Sequence, residues 1–493
     1  MNTQATGGKL RRELNIWEAI GISLALMAPS MAANINPQGT ASVIGRAVPL
    51  AFILATVGVL LVAYGFVRLS QQLHHAGSVY GFVGVTLGPR AGVFSGLALL
   101  GTYTFYAIVT AMAAGRFGAD FLRALGVFGS VDSAPHLAEF IVAFAALGLA
   151  FAFALAPVRN GTRILLVIEG VTVALILVTV LVIVIKLLGG SAPAGQTFTL
   201  SVFSLPDGID FSTVALGAVF GFLSFAGFEA AATLGEEARN PTRDIPRAIL
   251  GVAIFGGIYF VVVTAVEVMG FGTSDEAMTA FVGSGSLLGD LGRTYIAAWI
   301  GDVITIGAAV SAFGCCLACL VGASRLLFAV SRDNAETRGL GYTARVSERY
   351  GTPSGALTVI TVVAAVMTLV WALAFNASAF DIFVGSGTIG TLIILVAYLM
   401  LTVGAIKFLF FSGRSLVARW EMIIPLAAIV VLGYTIFRNV WPIPASDQPA
   451  FWYSVATVVW LVFAAVIVWA LPGMAGRVGD RLRADEGLSA ARS

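Results

Sequence analysis

The chain has 493 residues, of which 58% are hydrophobic and 11% charged, with a formal net charge of +2 and a mean hydropathy of +0.95. Ordinary globular domains carry about 25% charged residues, so this chain cannot coat a water-facing surface of its size, and its solvent must be largely hydrocarbon. The near-neutral total says nothing about nucleic acid, but no basic tract interleaved with aromatics appears, so no nucleic-acid partner is expected.

The polar segment 1–15 lacks the apolar core and small-residue cleavage site of a signal peptide. It reads as a cytoplasmic tail, and the first helix is expected to persist. A hydrocarbon core of about 30 Å needs about 20 apolar residues per crossing. Runs of that kind predict helices at 16–44, 48–69, 92–124, 137–157, 164–188, 212–236, 246–270, 294–330, 355–375, 380–408, 421–438 and 450–472. The third, eighth and tenth are long enough to tilt or to run past the bilayer. The segment 473–493 is a polar, arginine-rich extension. The predicted fold is therefore all-α, integral to the membrane, with twelve crossings.

The basic residues test that count. With a cytoplasmic N-terminus, 22 of the 28 Lys and Arg residues fall on the inner face. The other 6, Arg46, Arg116, Arg123, Lys186, Arg293 and Arg438, fall on the outer. A miscounted helix would invert every later loop and destroy this bias. Both termini are expected inside, in the cell membrane.

Two spans carry interruptions. The first holds Met27-Ala28-Pro29-Ser30-Met31-Ala32-Ala33, followed by Asn34, Asn36, Pro37 and Gln38. Proline lacks a backbone donor and collides with the preceding turn. Backbone freed at this depth is tolerated only where protein or a wet cavity satisfies it. The sixth span holds Ser224-Phe225-Ala226-Gly227-Phe228-Glu229, where Gly227 weakens the helix and Glu229 brings a costly carboxyl to mid-depth. The two spans occupy matching places, each opening a block of five. Paired interruptions of this kind point to a transporter binding site. A broken helix exposes amides that favour a carboxylate and carbonyls that favour an ammonium. An amino acid carries both groups.

The stretch from Gly227 to Ala230 and from Gly235-Glu236-Glu237-Ala238-Arg239-Asn240-Pro241-Thr242-Arg243-Asp244-Ile245-Pro246-Arg247-Ala248 resembles the helix-six signature of the amino acid–polyamine–organocation permeases. Gly77-Ser78-Val79-Tyr80-Gly81 with Leu87-Gly88-Pro89 resembles their segment before helix three. Ser324-Arg325-Leu326-Leu327-Phe328 through Arg332-Asp333 resembles their end of helix eight. The similarity in order and spacing covers about residues 15–410. It implies a five-plus-five inverted repeat, 16–188 and 212–408, two added helices within 421–472, and alternating access around helices one and six. Within the loop itself, Asp244 can cap the next helix and Pro246 suits its first turn. Glu236 and Glu237 face Arg239 and Arg243 as a charge cluster, a structural anchor or an inner gate.

The resemblance also implies site residues. The substrate carboxylate is expected at the amides of Ser30, Met31 and Ala32. Its ammonium is expected at carbonyls around Met27, Ala28 and Ser224 to Ala226, beside Gly227. Phe222, Phe225 and Phe228 are candidates for an aromatic lid, and packing is the plain alternative for them. Tyr103 and Tyr106, three apart on one helix face, can line the pocket or pack. Glu169 in the fifth span has no partner nearby in sequence and is the candidate proton carrier. The resemblance puts a coupling lysine near Thr172, and none is there. Glu229 is a candidate for gating or coupling. Glu267 and Asp302 lie toward span ends, where solvation is expected. Phe313 to Gly322 on the eighth span has no Ser or Thr, which disfavours the oxygen ligands of a sodium site. Cys315, Cys316 and Cys319 read as packing residues, since no second pair or nearby histidine completes a zinc site.

The leading reading is thus a secondary transporter for amino acids, with proton symport or exchange. Its alternatives are a polyamine or amine carrier and a sensor on the same fold. No cofactor is expected. A membrane enzyme would need clustered catalytic residues, and His74, His75 and His136 form no such group. A channel would show a repeated filter or charged ring. No phosphate-binding GxxxxGK[ST] loop is present, so an ion or substrate gradient must supply the energy.

Overall fold

The computed structural model describes residues 15–73, 79–127, 136–156, 161–234, 238–332, 340–413, 415–470, 473 and 476. Among the described residues there are helices and no strand. Helix α1 (Ile16–Met27) starts with a capping box: the Asn15 side chain accepts from the Trp17 and Glu18 N–H groups, and its own N–H donates to Glu18 Oε2. It is followed by α2 (Pro29–Ile44), a 3-10 turn (Gly45–Ala47) and α3 (Val48–Gln72). The short α4 (Val79–Leu87) leads into α5 (Pro89–Ala124), then α6 (Leu137–Leu155) and α7 (Gly161–Leu188). Helix α8 (Phe211–Phe225) is succeeded by a 3-10 segment (Ala230–Leu234) and α9 (Pro241–Phe271). The short α10 (Asp275–Gly283) and α11 (Leu287–Tyr295) precede α12 (Ala298–Arg332) and α13 (Leu340–Thr343). Helices α14 (Ser354–Ala374), α15 (Ala379–Phe411), α16 (Ile423–Val440) and α17 (Pro449–Ala470) follow as the last elements among the described residues.

Eleven stretches of described residues are long and apolar enough to cross a bilayer. The first, Ile16–Gln72, has 57 residues. As one rod it would run about 86 Å, nearly three times the hydrocarbon thickness. It is not one rod, because the chain breaks at Ala28 and again at Gly45–Ala47. Helix α5 is the central post, packed on α12, α15, α6 and α14. Helices α16 and α17 lie at the periphery and present bare apolar side chains such as Val430 (68% exposed) and Trp469 (86% exposed). Such a surface is stable only against hydrocarbon.

At one end of the bundle, Arg293 on α11 meets three carboxylates: Asp120 at 3.0 Å, Asp290 at 2.8 Å and Asp302 at 3.0 Å. Burial works against the guanidinium charge, yet these carboxylates more than offset it and hold Arg293 above its usual range. Asp302 is therefore paired and not merely solvated, contrary to the sequence expectation. Arg116 donates to the Ser284 carbonyl and Lys186 to the Tyr295 carbonyl, so three cations of the predicted outer set gather around α10 and α11. At the opposite end, Arg68 bridges to Glu421, which also accepts from Tyr64.

One helix start differs from expectation. Helix α9 begins at Pro241 behind Asn240, so Asp244 sits in the first turn without capping it and Pro246 lies inside the helix. Pro241 is the proline that takes the first position, where a missing N–H costs nothing. Glu236 and Glu237 of the charge cluster, Gly77, Ser78, Gly235 and Asp333 of the motifs, His74, His75 and most of both tails lie outside the described residues.

Candidate functional site

The first interruption is a single residue. Ala28 has φ 46° and ψ 59°, ending α1 and starting α2. A left-handed conformation costs an alanine roughly 1–2 kcal/mol, and strain of this kind tends to gather at functional sites. Pro29 does not kink a helix here; it is the first residue of α2, a position it suits. Of the amides at the start of α2, Ala32 N–H already bonds the Ala28 carbonyl at 2.9 Å. That leaves Ser30 and Met31. The Ser30 N–H donates to Glu169 Oε1 at 2.8 Å, and the Met31 N–H donates to Ser311 Oγ at 3.3 Å. Glu169 on α7 thus caps the positive end of α2 with a buried carboxyl.

The second interruption is longer. Helix α8 ends at Phe225, Ala226 turns away at φ −56° and ψ 125°, and Gly227 has φ +100°. A side chain on Gly227 would meet Leu26 Cγ at 2.7 Å, so glycine is needed both for the turn and for the close approach of α1. The two broken helices lie against each other: α2 packs on α8, and α1 packs on the Ala230–Leu234 segment. Ser23 joins the latter pair, its hydroxyl donating to the Phe228 carbonyl at 3.1 Å and accepting from the Ala231 N–H at 2.9 Å. The far part of α2 is held by the α10–α11 segment. Asn34 Oδ1 accepts from the Ser286 hydroxyl and the Leu288 N–H, and Gln38 Nε2 donates to the Ser284 carbonyl at 2.7 Å.

Where the breaks meet there is a small cavity of about 20 Å³, room for about one water molecule. Met27, Met31, Tyr103, Ala226 and Gly227 line it, as do Leu26, Tyr106, Thr110, Leu223, Cys315, Cys319 and Ile394. The other expected contacts are buried beside it without forming its wall. Ala28 and Ala32 are in the backbone of the break, Ser30 turns its amide to Glu169, and Ser224 accepts from Asn36 Nδ2 at 2.7 Å. None of the three phenylalanines lines the cavity. Phe222 faces Gly58 of α3, Phe225 packs edge-on to Phe260 at 5.4 Å, and Phe228 packs edge-on to Phe66 and Tyr398.

Glu229 is 6% exposed; its Oε2 makes no well-formed hydrogen bond among the described residues, though the Tyr398 hydroxyl, also without one, stands alongside the carboxyl. It lies within electrostatic reach of Tyr103, Tyr106 and Tyr398. Glu267, expected at a solvated end, is fully buried on α9, with neither carboxyl oxygen hydrogen-bonded among the described residues. The helix runs four residues beyond it to Phe271, and α10 and α11 cover that end. Ser311 corrects a further expectation: helix α12 does bring a hydroxyl to the first break. It stands just before the Phe313–Gly322 stretch. Cys315 and Cys319, expected only to pack, face the cavity, and the Cys315 thiol donates to the Leu26 carbonyl at 3.2 Å.

The sequence was compared with known proteins. The family described as amino acid permease matches residues 14–468. The branched-chain amino acid permease BcaP of Lactococcus lactis is 25% identical over 77% of this chain and 78% of its own length. The protein of the same name from Bacillus subtilis is 24% identical over 71% and 73% respectively. The low-affinity putrescine importer PlaP of Escherichia coli is 28% identical over 52% of this chain and 53% of its own. With a match that runs through both broken helices and on into the last described helix, this chain belongs to the amino acid permease family.

Proposed function

We propose that the protein is a secondary transporter that carries an amino acid or amine across the cell membrane by alternating access. The observation that carries the reading is the meeting of two broken helices around one small cavity among buried residues. A half-helix can pivot where its backbone is already free, and here α1 and α2 are joined by one strained residue. In this reading Ser23 latches one end of the cavity, while Asn34 and Gln38 latch the other. The relatives that carry branched-chain amino acids and putrescine support a substrate of that size and class.

The helix packing supports twelve crossings and an inverted repeat of 16–188 with 212–408. Exchange each helix of the first five for its counterpart in the second, and the contacts map onto one another. The pair α2–α8 becomes α1 with the Ala230–Leu234 segment, and α1–α9 becomes α3–α8. Likewise α5–α6 becomes α12–α14, α5–α15 becomes α7–α12, and α6–α12 becomes α5–α14. Helices α16 and α17 fall outside this scheme, and both termini are cytoplasmic in it.

Glu169 links protons to movement. A carboxylate on the end of α2 holds that half-helix by a charge-assisted hydrogen bond; a proton arriving on Glu169 weakens the hold. The test is uptake by purified protein in liposomes, with labelled amino acids and amines, with and without a pH gradient. Saturable uptake that responds to the gradient is expected. No uptake of any member of the panel would refute the carrier reading.

A further inference from the structure

The cavity offers a negative group neither a cation nor a free amide at the start of α2. The amides at the start of α2 are the natural seat for a substrate carboxylate, but both free donors are taken, Ser30 by Glu169 and Met31 by Ser311. No Lys, Arg or His lines the cavity. The side chains that do line it are apolar, aromatic, thiol or hydroxyl. Outside this lining, two residues beyond Gly227, is the buried Glu229, whose Oε2 makes no well-formed hydrogen bond among the described residues, with the Tyr398 hydroxyl alongside it and with Tyr103 and Tyr106 of the wall as neighbours. Tyrosine faces attract an ammonium, and a buried carboxylate with a free oxygen is costly until a cation pairs with it.

From the sealed helix end, the unpartnered carboxyl oxygen and the apolar walls together, we infer that the substrate is a primary amine with an apolar body and no carboxylate. This rests on the carrier reading and narrows it. Glu169 supplies from within the protein the carboxylate that an amino acid would otherwise bring. Glu229 is the counter-ion of the substrate ammonium. Leucine and 3-methylbutylamine differ only by a carboxylate, so they make the probe pair.

The experiment measures uptake of both compounds by the full chain in liposomes, for the wild type and for Glu169→Ala, Glu229→Gln and Glu229→Asp. The wild type is expected to carry the amine at least tenfold faster than leucine. Glu229→Gln should lower amine uptake at least tenfold, and Glu229→Asp, which keeps the charge, should restore part of it. Glu169→Ala uncovers the amides of α2 and should raise the leucine-to-amine ratio at least tenfold. A ratio is read within one preparation, so poor folding does not mimic it. Wild-type protein that carries leucine as well as the amine, or a ratio unmoved by Glu169→Ala, would overturn the inference and leave the carrier intact. Absence of uptake for both compounds and for the wider panel would overturn the carrier reading itself.

Discussion

Glu169→Gln separates the two tasks assigned to that side chain. The glutamine oxygen can still accept the Ser30 N–H now bonded at 2.8 Å, so the shape of the break survives. What is lost is charge. A hydrogen bond to a charged group contributes about 1.5–3 kcal/mol, against about 0.5–1.5 kcal/mol for a neutral one. A buried charge at a helix end adds up to about 2 kcal/mol. The anchoring of α2 should therefore weaken by about 1–3 kcal/mol, a factor of roughly 5–150 in any equilibrium it sets. The assay compares substrate exchange at uniform pH with accumulation driven by a pH gradient, in the same liposomes. Gradient-driven accumulation should fall about tenfold, while exchange should stay within about threefold. Equal loss of both activities, or of neither, would refute the link between Glu169 and proton movement.

Three further outcomes are expected. Gly227→Ala must adopt φ +100° and push into Leu26, at a combined cost of about 2–5 kcal/mol; thermal unfolding in detergent should fall by several degrees, and an unchanged midpoint would remove the close approach. Glu267→Leu replaces a fully buried carboxyl that has no partner among the described residues and recovers about 1–3 kcal/mol of desolvation cost; the midpoint should rise, and a fall would mean that the carboxyl is satisfied. A membrane-permeant maleimide should inactivate uptake through Cys315 or Cys319, which line the cavity, with protection by saturating substrate; inactivation abolished by Cys316→Ala alone, whose thiol instead points to the Ala107 carbonyl, would contradict the cavity.

Both breaks were legible because proline and glycine announce them. The residue that does the bending was not. Ala28 takes the left-handed conformation, and alanine carries no mark of it; Pro29 only shows that a helix starts there. The depth of each side chain was harder to read than its neighbourhood. Ser311 lies two residues before the Phe313–Gly322 stretch that has no hydroxyl, and about one turn of helix α12 separates it from Cys315. Glu267 reads as a span end by counting, yet α10 and α11 cover that end of the bundle. Phe222 and Phe225 lie on α8 and pack on α3 and α9, whereas Phe228 follows the break and packs on α3 and α15, so one helical spacing does not describe the three. Glu169 was singled out as a lone buried carboxyl, but its partner lies 139 residues away in sequence and on the backbone, where no side-chain pattern records it.

If the half-helices separate during each cycle, the bridge that Ser23 makes to the Ala231 N–H at 2.9 Å must open every time. Ser23→Cys and Ala231→Cys, placed together in a chain whose three native cysteines have been replaced, can be joined by mild oxidation. Uptake in liposomes should stop when the disulfide forms and return in full on reduction. Undiminished uptake by the cross-linked protein would contradict the motion on which the carrier mechanism stands.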